Sequence, residues 1–468
     1  MAAVRSVRRQ MSNKTFYIDT LGCQKNEYDS QILGADLMKA GCRAVMDPEE
    51  ADILIVNTCG FIDAAKMESI EHIFDMARIK GEKKKLVVTG CLSQRFHKEL
   101  SEEMPEVDLF FGVNDYDDIA GELLKDEPDS GETDEPKADE VTEKRDKVRG
   151  SAEKVLHYKD RIIPKGTYSS VLKIAEGCNN TCSFCAIPAI RGPFRSKPME
   201  ECIREARQMA ADGVKELVII AQDTSQYGVD LYGEVRLPQL LRELCKIDGI
   251  RWIRLMYVYD EGITDELMDV IASEPKICKY IDIPIQHISD HVLTMMRRRS
   301  DKASIIRTIS KLREKVPGIH IRTTLLVGFP GETSEDHQEL LEFVKEAKID
   351  RLGVFSFSDE EGTLAHSMPG KLEQEEKDAR RDEIMEAQQE VSLELNQKKA
   401  GMTYEVLIDE AAGETDDGDL LYIGRTQYDG PEIDDEVEFS SSREHQPGDF
   451  VRVVIDEAGE YDLLGREI

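Results

Sequence analysis

Between Phe16 and Ser358 short apolar runs alternate with amphipathic stretches, and one acid-rich segment with almost no large side chains interrupts them. Alternation of this kind favours parallel strands covered by helices. In the first block the candidate strands are Phe16–Leu21, Ile53–Val56, Leu86–Val88 and Leu109–Val113. The candidate helices there are Ser30–Ala40, Ala64–Lys80 and Asp117–Leu124. The second block carries six candidate strands, Val171–Ala175, Leu217–Ala221, Trp252–Val258, Tyr280–Ile285, Ile319–Val327 and Leu352–Phe357. Six βα units suffice for a partial barrel related to the eight-fold one. A charged helical stretch, Leu372–Lys399, leads to a tail of short strands (Tyr404–Ile408, Leu421–Ile423, Phe450–Ile455) split by Gly and Asp turns. That pattern suits a small β-barrel.

The interruption, from about Lys125 to Gly150, cannot bury enough apolar surface to offset its ordering entropy and reads as a solvated linker. The expected fold is therefore α/β: an N-terminal parallel-sheet domain at 13–124, an acidic linker at 125–165, a partial (β/α)6 barrel at 166–399 and a small β-barrel at 400–468. No apolar run approaches the roughly 20 residues of a membrane span, so a soluble, cytoplasmic protein is expected. The first ten residues, MAAVRSVRRQ, are basic and free of acids. With no cleavage pattern behind them, they read as an upstream start ahead of Met11 rather than a transit peptide.

Ten cysteines in a chain with no secretory signal argue for thiols available to metal rather than for disulfides. Three of them, Cys178, Cys182 and Cys185, fall within eight residues directly after the first strand of the second block. Structural zinc, the competing reading, wants four closed ligands, and no fourth Cys or His lies nearby; Cys202 is a helix away. Three protein ligands leave one iron of a 4Fe–4S cluster open, and the ligand count favours that reading. Three more, Cys23, Cys59 and Cys91, each follow a candidate strand of the first block and each sit beside a glycine: Gly22, Gly60 and Gly90. The C-terminal ends of parallel strands share one edge, the usual ligand-binding edge, so these distant cysteines can converge. The alternative is three buried cysteines acting as small apolar groups. Cys42, Cys202, Cys245 and Cys278 have no such context and read that way.

The C-x3-C-x2-C spacing, with Phe184 before the last cysteine, resembles the signature of radical S-adenosylmethionine (SAM) enzymes. Two three-cysteine sets in series with a small β-domain behind them resemble the methylthiotransferase family, over nearly the whole chain from Phe16. The resemblance implies a TRAM domain at the C-terminus, two 4Fe–4S clusters and SAM as cofactors. It places one cluster on Cys178, Cys182 and Cys185, where an electron opens SAM to give a radical. It places an auxiliary cluster, whose open iron accepts the sulfur to be delivered, on Cys23, Cys59 and Cys91. Strand-end groups of the barrel, where active-site residues gather, then become candidate SAM contacts: Gln222 and Asp223, Gln286 beside His287, Arg322, and Gly328 in the run Gly328–Glu332, with Phe184 in the loop itself.

Two branches of that family differ in substrate. One methylthiolates adenosine in tRNA; the other modifies the β-carbon of an aspartate in ribosomal protein S12. Asn57–Ile62 followed by Ala64–Lys66, the run Cys185–Gly192, and Pro431–Asp434 resemble the second branch. Charge argues the same way from a separate basis. The chain carries a formal net charge of −33, and residues 401–468 hold four Arg, no Lys and twenty Asp or Glu. Phosphate neutralisation dominates nucleic-acid affinity, so such a tail repels tRNA and attracts a basic protein. An acidic tail that merely keeps the chain soluble is the plainer alternative. The expected partners are S12 and an electron donor for the clusters, with no membrane; tRNA is disfavoured, and tRNA adenosine methylthiotransfer is the alternative function. A non-catalytic iron–sulfur sensor would not need the polar barrel rim.

Overall fold

The computed structural model describes residues 14–123, 145–148, 161–415 and 418–468. The first ten residues, and most of the linker expected at 125–165, lie outside the described residues. The chain forms two compact units. The first holds the described residues up to Ile163 together with Glu176–Asn179 and Ala186–Arg195; the second holds Pro164–Ala175, Asn180–Cys185 and Ser196–Ile468.

In the first unit five parallel strands, β1 (Thr15–Thr20), β2 (Arg43–Ala44), β3 (Ile53–Thr58), β4 (Lys85–Gly90) and β5 (Leu109–Phe110), lie in the order 2-1-3-4-5. The helices are α1 (Gln24–Lys39), α2 (Asp63–Lys80), α3 (Cys91–Glu103) and α4 (Tyr116–Leu123). Every residue of β3 is buried, as befits a parallel strand covered on both faces. Ile53, Ile55 and Val87 pack with Leu33 and Leu37 of α1 and Ile119 of α4. Leu54, Val56, Leu86 and Val88 pack with Ile73 of α2 and Leu100 of α3. Beside the short added strand β2, two helices depart from expectation: α1 starts at Gln24 rather than Ser30, and α3 was not anticipated. Both changes put a cysteine at a helix start.

In the second unit six parallel strands lie side by side in chain order: Ser169–Lys173, Glu216–Ile220, Trp252–Leu255, Ile277–Gln286, His320–Val327 and Arg351–Ser356. The long helix Gln374–Gln397 leads to a closed five-stranded barrel of Thr403–Glu414, Leu420–Thr426, Val437–Ser441, Phe450–Ala458 and Leu463–Glu467. Val437–Ser441 and Leu463–Glu467 add to the three strands read from sequence. The small barrel docks through buried ion pairs on residues at the starts of the six strands. Glu216 and Arg254 are fully buried and paired at 2.9 Å, and Arg425 reaches the other oxygen of Glu216 at 2.6 Å. Arg351 pairs with Asp429 at 2.6 Å and Asp435 at 2.8 Å. Trp252, the only tryptophan of the sequence, meets Phe450 edge to face at 4.8 Å.

Candidate functional site

In strand order 2-1-3-4-5 the chain reverses direction across the sheet between β1 and β3, and ligands bind beyond the strand ends at such a point. Cys23 follows β1 and caps α1, Cys59 follows β3, and Cys91 opens α3 after β4. Cys59 and Cys91 are buried and Cys23 is exposed. The three sulfurs are near enough for each deprotonated thiol to disfavour the next. Burial pushes the Cys59 thiol up and the Cys91 thiol up to about 12, while Arg191 works against both shifts. Holding thiolates here needs compensating positive charge, which a cationic metal centre provides. Helix N-termini beside Cys23 and Cys91 add partial positive charge to the same place.

The backbone leaves little slack around these sulfurs. Gly22 has φ +86°, and a Cβ there would lie 2.6 Å from Cys59 Cβ and 2.9 Å from its Sγ. Asn26 donates from Nδ2 to the carbonyls of Leu21 (2.9 Å) and Thr58 (3.0 Å), tying the ends of β1 and β3 together. Ser69 of α2 accepts from the Cys59 N–H at 3.0 Å and donates to its carbonyl at 2.9 Å. The donor set and the cradle fit a bulky thiolate-bound cluster.

The second set lies on the loop after the first barrel strand. Cys178 is buried, and its N–H donates to the Gly192 carbonyl at 3.1 Å. Cys182 and Cys185 are half-buried. Asn180 donates to Asp223 Oδ2 at 2.9 Å, and Ser183 binds the Met295 carbonyl through Oγ (2.8 Å) and the Met296 carbonyl through its N–H (3.0 Å). Phe184 packs against a cluster containing Met296, Phe329 and Phe357. The last residues of the loop therefore rest on strand-end groups of the barrel rather than hanging free.

Several rim candidates share that place. Asp223 is buried; burial raises its pKa, while Ser225 and Asn180 oppose the rise. Gln222 precedes it, just past the end of Glu216–Ile220. Gln286 ends its strand at φ +72°, a left-handed conformation uncommon for a side-chain-bearing residue and concentrated at functional sites. His287 is fully buried and accepts the Ser289 N–H at Nδ1 (3.0 Å); burial lowers its pKa to about 3, so it is neutral with its proton on Nε2. The Gly328 and Phe329 N–H groups donate to Glu332 Oε2 at 2.6 and 3.1 Å, and Arg380 holds Oε1 at 2.7 Å. A Cβ on Gly328 would meet Lys377 Cγ at 2.3 Å.

Arg322 is different. It is the third residue of its strand, at the end occupied by the small barrel, and it binds Asp282, Thr324 and Asp434 at 3.2 Å each. Its guanidinium is engaged in docking and is not brought together with the other rim candidates expected to contact SAM. A side chain's period along a strand tells its face but not which end of the barrel it serves. Sequence reasoning missed Arg191, whose guanidinium lies among Asn26, Asp29 and Cys91. These three partners lie at least 100 residues away in sequence, so no local pattern links them to it.

Family comparisons agree with this layout. Residues 15–112 match an uncharacterized protein family (UPF0004), 172–344 the radical SAM superfamily and 400–468 the TRAM domain. A protein of Clostridioides difficile named ribosomal protein uS12 methylthiotransferase RimO is 46% identical over 96% of this chain and 97% of its own. The chain belongs to the RimO family. A RimO of Clostridium acetobutylicum is likewise 46% identical, over 97% of this chain and 98% of its own. Among solved structures, the radical SAM methyltransferase TsrM of Kitasatospora setae shares the fold, with a TM-score of 0.55 at 15% identity over 86% of this chain and 80% of that one. Like other RimO family members, the chain is a radical SAM methylthiotransferase that uses 4Fe–4S clusters and SAM. No helix among the described residues is long and apolar enough to cross a membrane.

Proposed function

We propose that this chain inserts a methylthio group at the β-carbon of an aspartate in ribosomal protein S12, in the cytoplasm, using one SAM as methyl donor and one as radical source. The observation that carries the reading is the meeting of Cys23, Cys59 and Cys91 from three strand ends around a glycine with no room for a Cβ. It occurs in a chain 46% identical to named uS12 methylthiotransferases. Cys178, Cys182 and Cys185 hold one cluster and Cys23, Cys59 and Cys91 the other. When bound, the clusters and SAM supply the one-electron chemistry that opens an unreactive C–H bond and the sulfur that replaces its hydrogen.

The chain's own residues do the positioning. Asp223 anchors Asn180 and so orients the loop that carries Cys182 and Cys185. Phe184 closes the loop's apolar side and keeps water away. Gln222, Asp223, Gln286 and Gly328 form the rim that receives SAM, with Glu332 fixing the backbone of Gly328. An electron donor must reach the clusters. Substrate choice follows charge: three of the four arginines of residues 401–468 are already engaged by acids, Arg425 by Glu216, Arg443 by Glu467 and Arg466 by Asp456. A surface so depleted of free cations disfavours tRNA and suits a basic ribosomal protein.

The test joins chemistry to substrate. With the full chain loaded without oxygen, C182A abolishes reductive cleavage of SAM, whereas C59A keeps cleavage and loses sulfur transfer to an S12 peptide, read by mass spectrometry. Equal loss of both activities in folded variants would contradict these roles. Methylthiolation of a tRNA anticodon loop in place of the S12 peptide would overturn the substrate.

A further inference from the structure

Arg191 ends the short helix Ile187–Arg191, six residues beyond Cys185, yet it belongs to the N-terminal unit. It is 2% exposed. From Nη2 it donates to Cys91 Sγ at 3.3 Å and to Asn26 Oδ1 at 2.6 Å. From Nη1 it donates to Asp29 Oδ2 at 2.5 Å and Glu176 Oε2 at 3.4 Å. Asn26 is itself fixed by the Leu21 and Thr58 carbonyls, so the guanidinium fork is held with one N–H on the sulfur. A fully desolvated cation is costly unless it has something to serve. Ala186 and Ile190, on the same stretch, sit in the core that includes Cys91.

We propose that Arg191 sets the electron affinity of the auxiliary cluster through its hydrogen bond to the Cys91 thiolate. The proposal rests on the reading of Cys23, Cys59 and Cys91 as that cluster's ligands. A cluster that accepts an electron gains one unit of negative charge, and a fixed guanidinium beside a ligand sulfur stabilises that state most where water is excluded. Hydrogen bonds to cluster sulfurs and net charge are among the protein's levers on the potential. Asp29 and Glu176 hold the cation in place and temper its charge. Lys at this position keeps a charge but not the planar fork that binds Asn26, Asp29 and sulfur together. Arg191 is thus a positioning residue that acts through Cys91.

The experiment uses the full chain carrying C178A, C182A and C185A, so that only the auxiliary cluster contributes, in a redox titration followed by electron paramagnetic resonance. R191M lowers the ratio of reduced to oxidised cluster at fixed potential about tenfold, equivalent to about 59 mV for a one-electron couple. D29N removes a neighbouring negative charge while leaving the sulfur contact, and moves the midpoint the opposite way; R191K falls between R191M and the parent. Should R191M not fold, D29N and R191K carry the test. C91A in the same background strips the remaining iron, about four per chain. Retained iron in C91A overturns the ligand reading itself, whereas iron lost in C91A with unmoved midpoints in D29N and R191K overturns the role of Arg191 alone.

Discussion

Replacing Glu216 with Gln strikes the buried ion pairs that join the small barrel to the six-stranded sheet. Glu216 is fully buried with Arg254 on one oxygen and Arg425 on the other, and Ser169 adds a hydrogen bond at 2.7 Å. Burial works to raise its pKa, but Arg425 and Arg254 overcome that and hold it down, from 4.5 to about 2. At about 1.4 kcal/mol per unit, the shift corresponds to roughly 3–4 kcal/mol of stability at pH 7. Removing one partner of a buried pair costs about 3–5 kcal/mol by a separate line of reasoning, because the remaining cations are stranded. Both routes predict a loss of about 3 kcal/mol or slightly more. Trp252 stands at the same junction, against Phe450, so its fluorescence during urea unfolding reads the relevant transition. A depressed carboxylate contributes fully above its unfolded pKa and loses that contribution as pH falls through its folded one. The gap between parent and E216Q is therefore full above about pH 4.5 and closes toward pH 2. A difference below about 1 kcal/mol at pH 7, or one that widens in acid, refutes the reasoning.

Two other substitutions probe the sites. G22A introduces a Cβ against Cys59 at a positive φ, so iron per loaded chain falls from about eight toward about four, measured by colorimetric iron analysis; full iron content contradicts the cradle. G328A drives a methyl into Lys377 and shifts the turn that Glu332 holds, so the KM for SAM rises several-fold while both clusters are retained; an unchanged KM removes Gly328 from the SAM rim.

The strand ends that carry the candidate cysteines were legible, because strand ends are what apolar runs reveal best. The helix starts beside them were not. A helix usually announces itself by a Ser, Thr, Asp or Asn cap. Here α1 is capped by Cys23 and α3 by Gly90 at φ +100°, neither with a side-chain capping bond. Those positions are occupied by a candidate ligand and by a glycine at a crowded turn, so the usual signal is missing where the site is built. Arg322 is ambiguous for the opposite reason: a polar residue on a barrel strand reads the same whether it serves the rim or the far end. The strand-end rim of the barrel was legible from residues at or just past the strand ends, such as Gln286 and Gln222, and the docking half was not, because Glu216, Arg254 and Arg425 become meaningful only as a group.

The stretch Ala186–Arg195 completes the N-terminal unit from beyond the acid-rich segment of the sequence. Ala186 and Ile190 fill its core beside Phe111 and Val113, and Arg191 answers the buried charge of Asp29. A fragment ending at about residue 150 would keep the whole parallel sheet and every cysteine of the first set, yet lack the wedge that closes the sheet's core. Such a fragment would expose a greasy seam and a stranded carboxylate, and would clump before it could be tested for iron. Supplying a peptide spanning Ala186–Arg195 in trans is the natural way to make it whole, as a replaced stave lets a cask hold water.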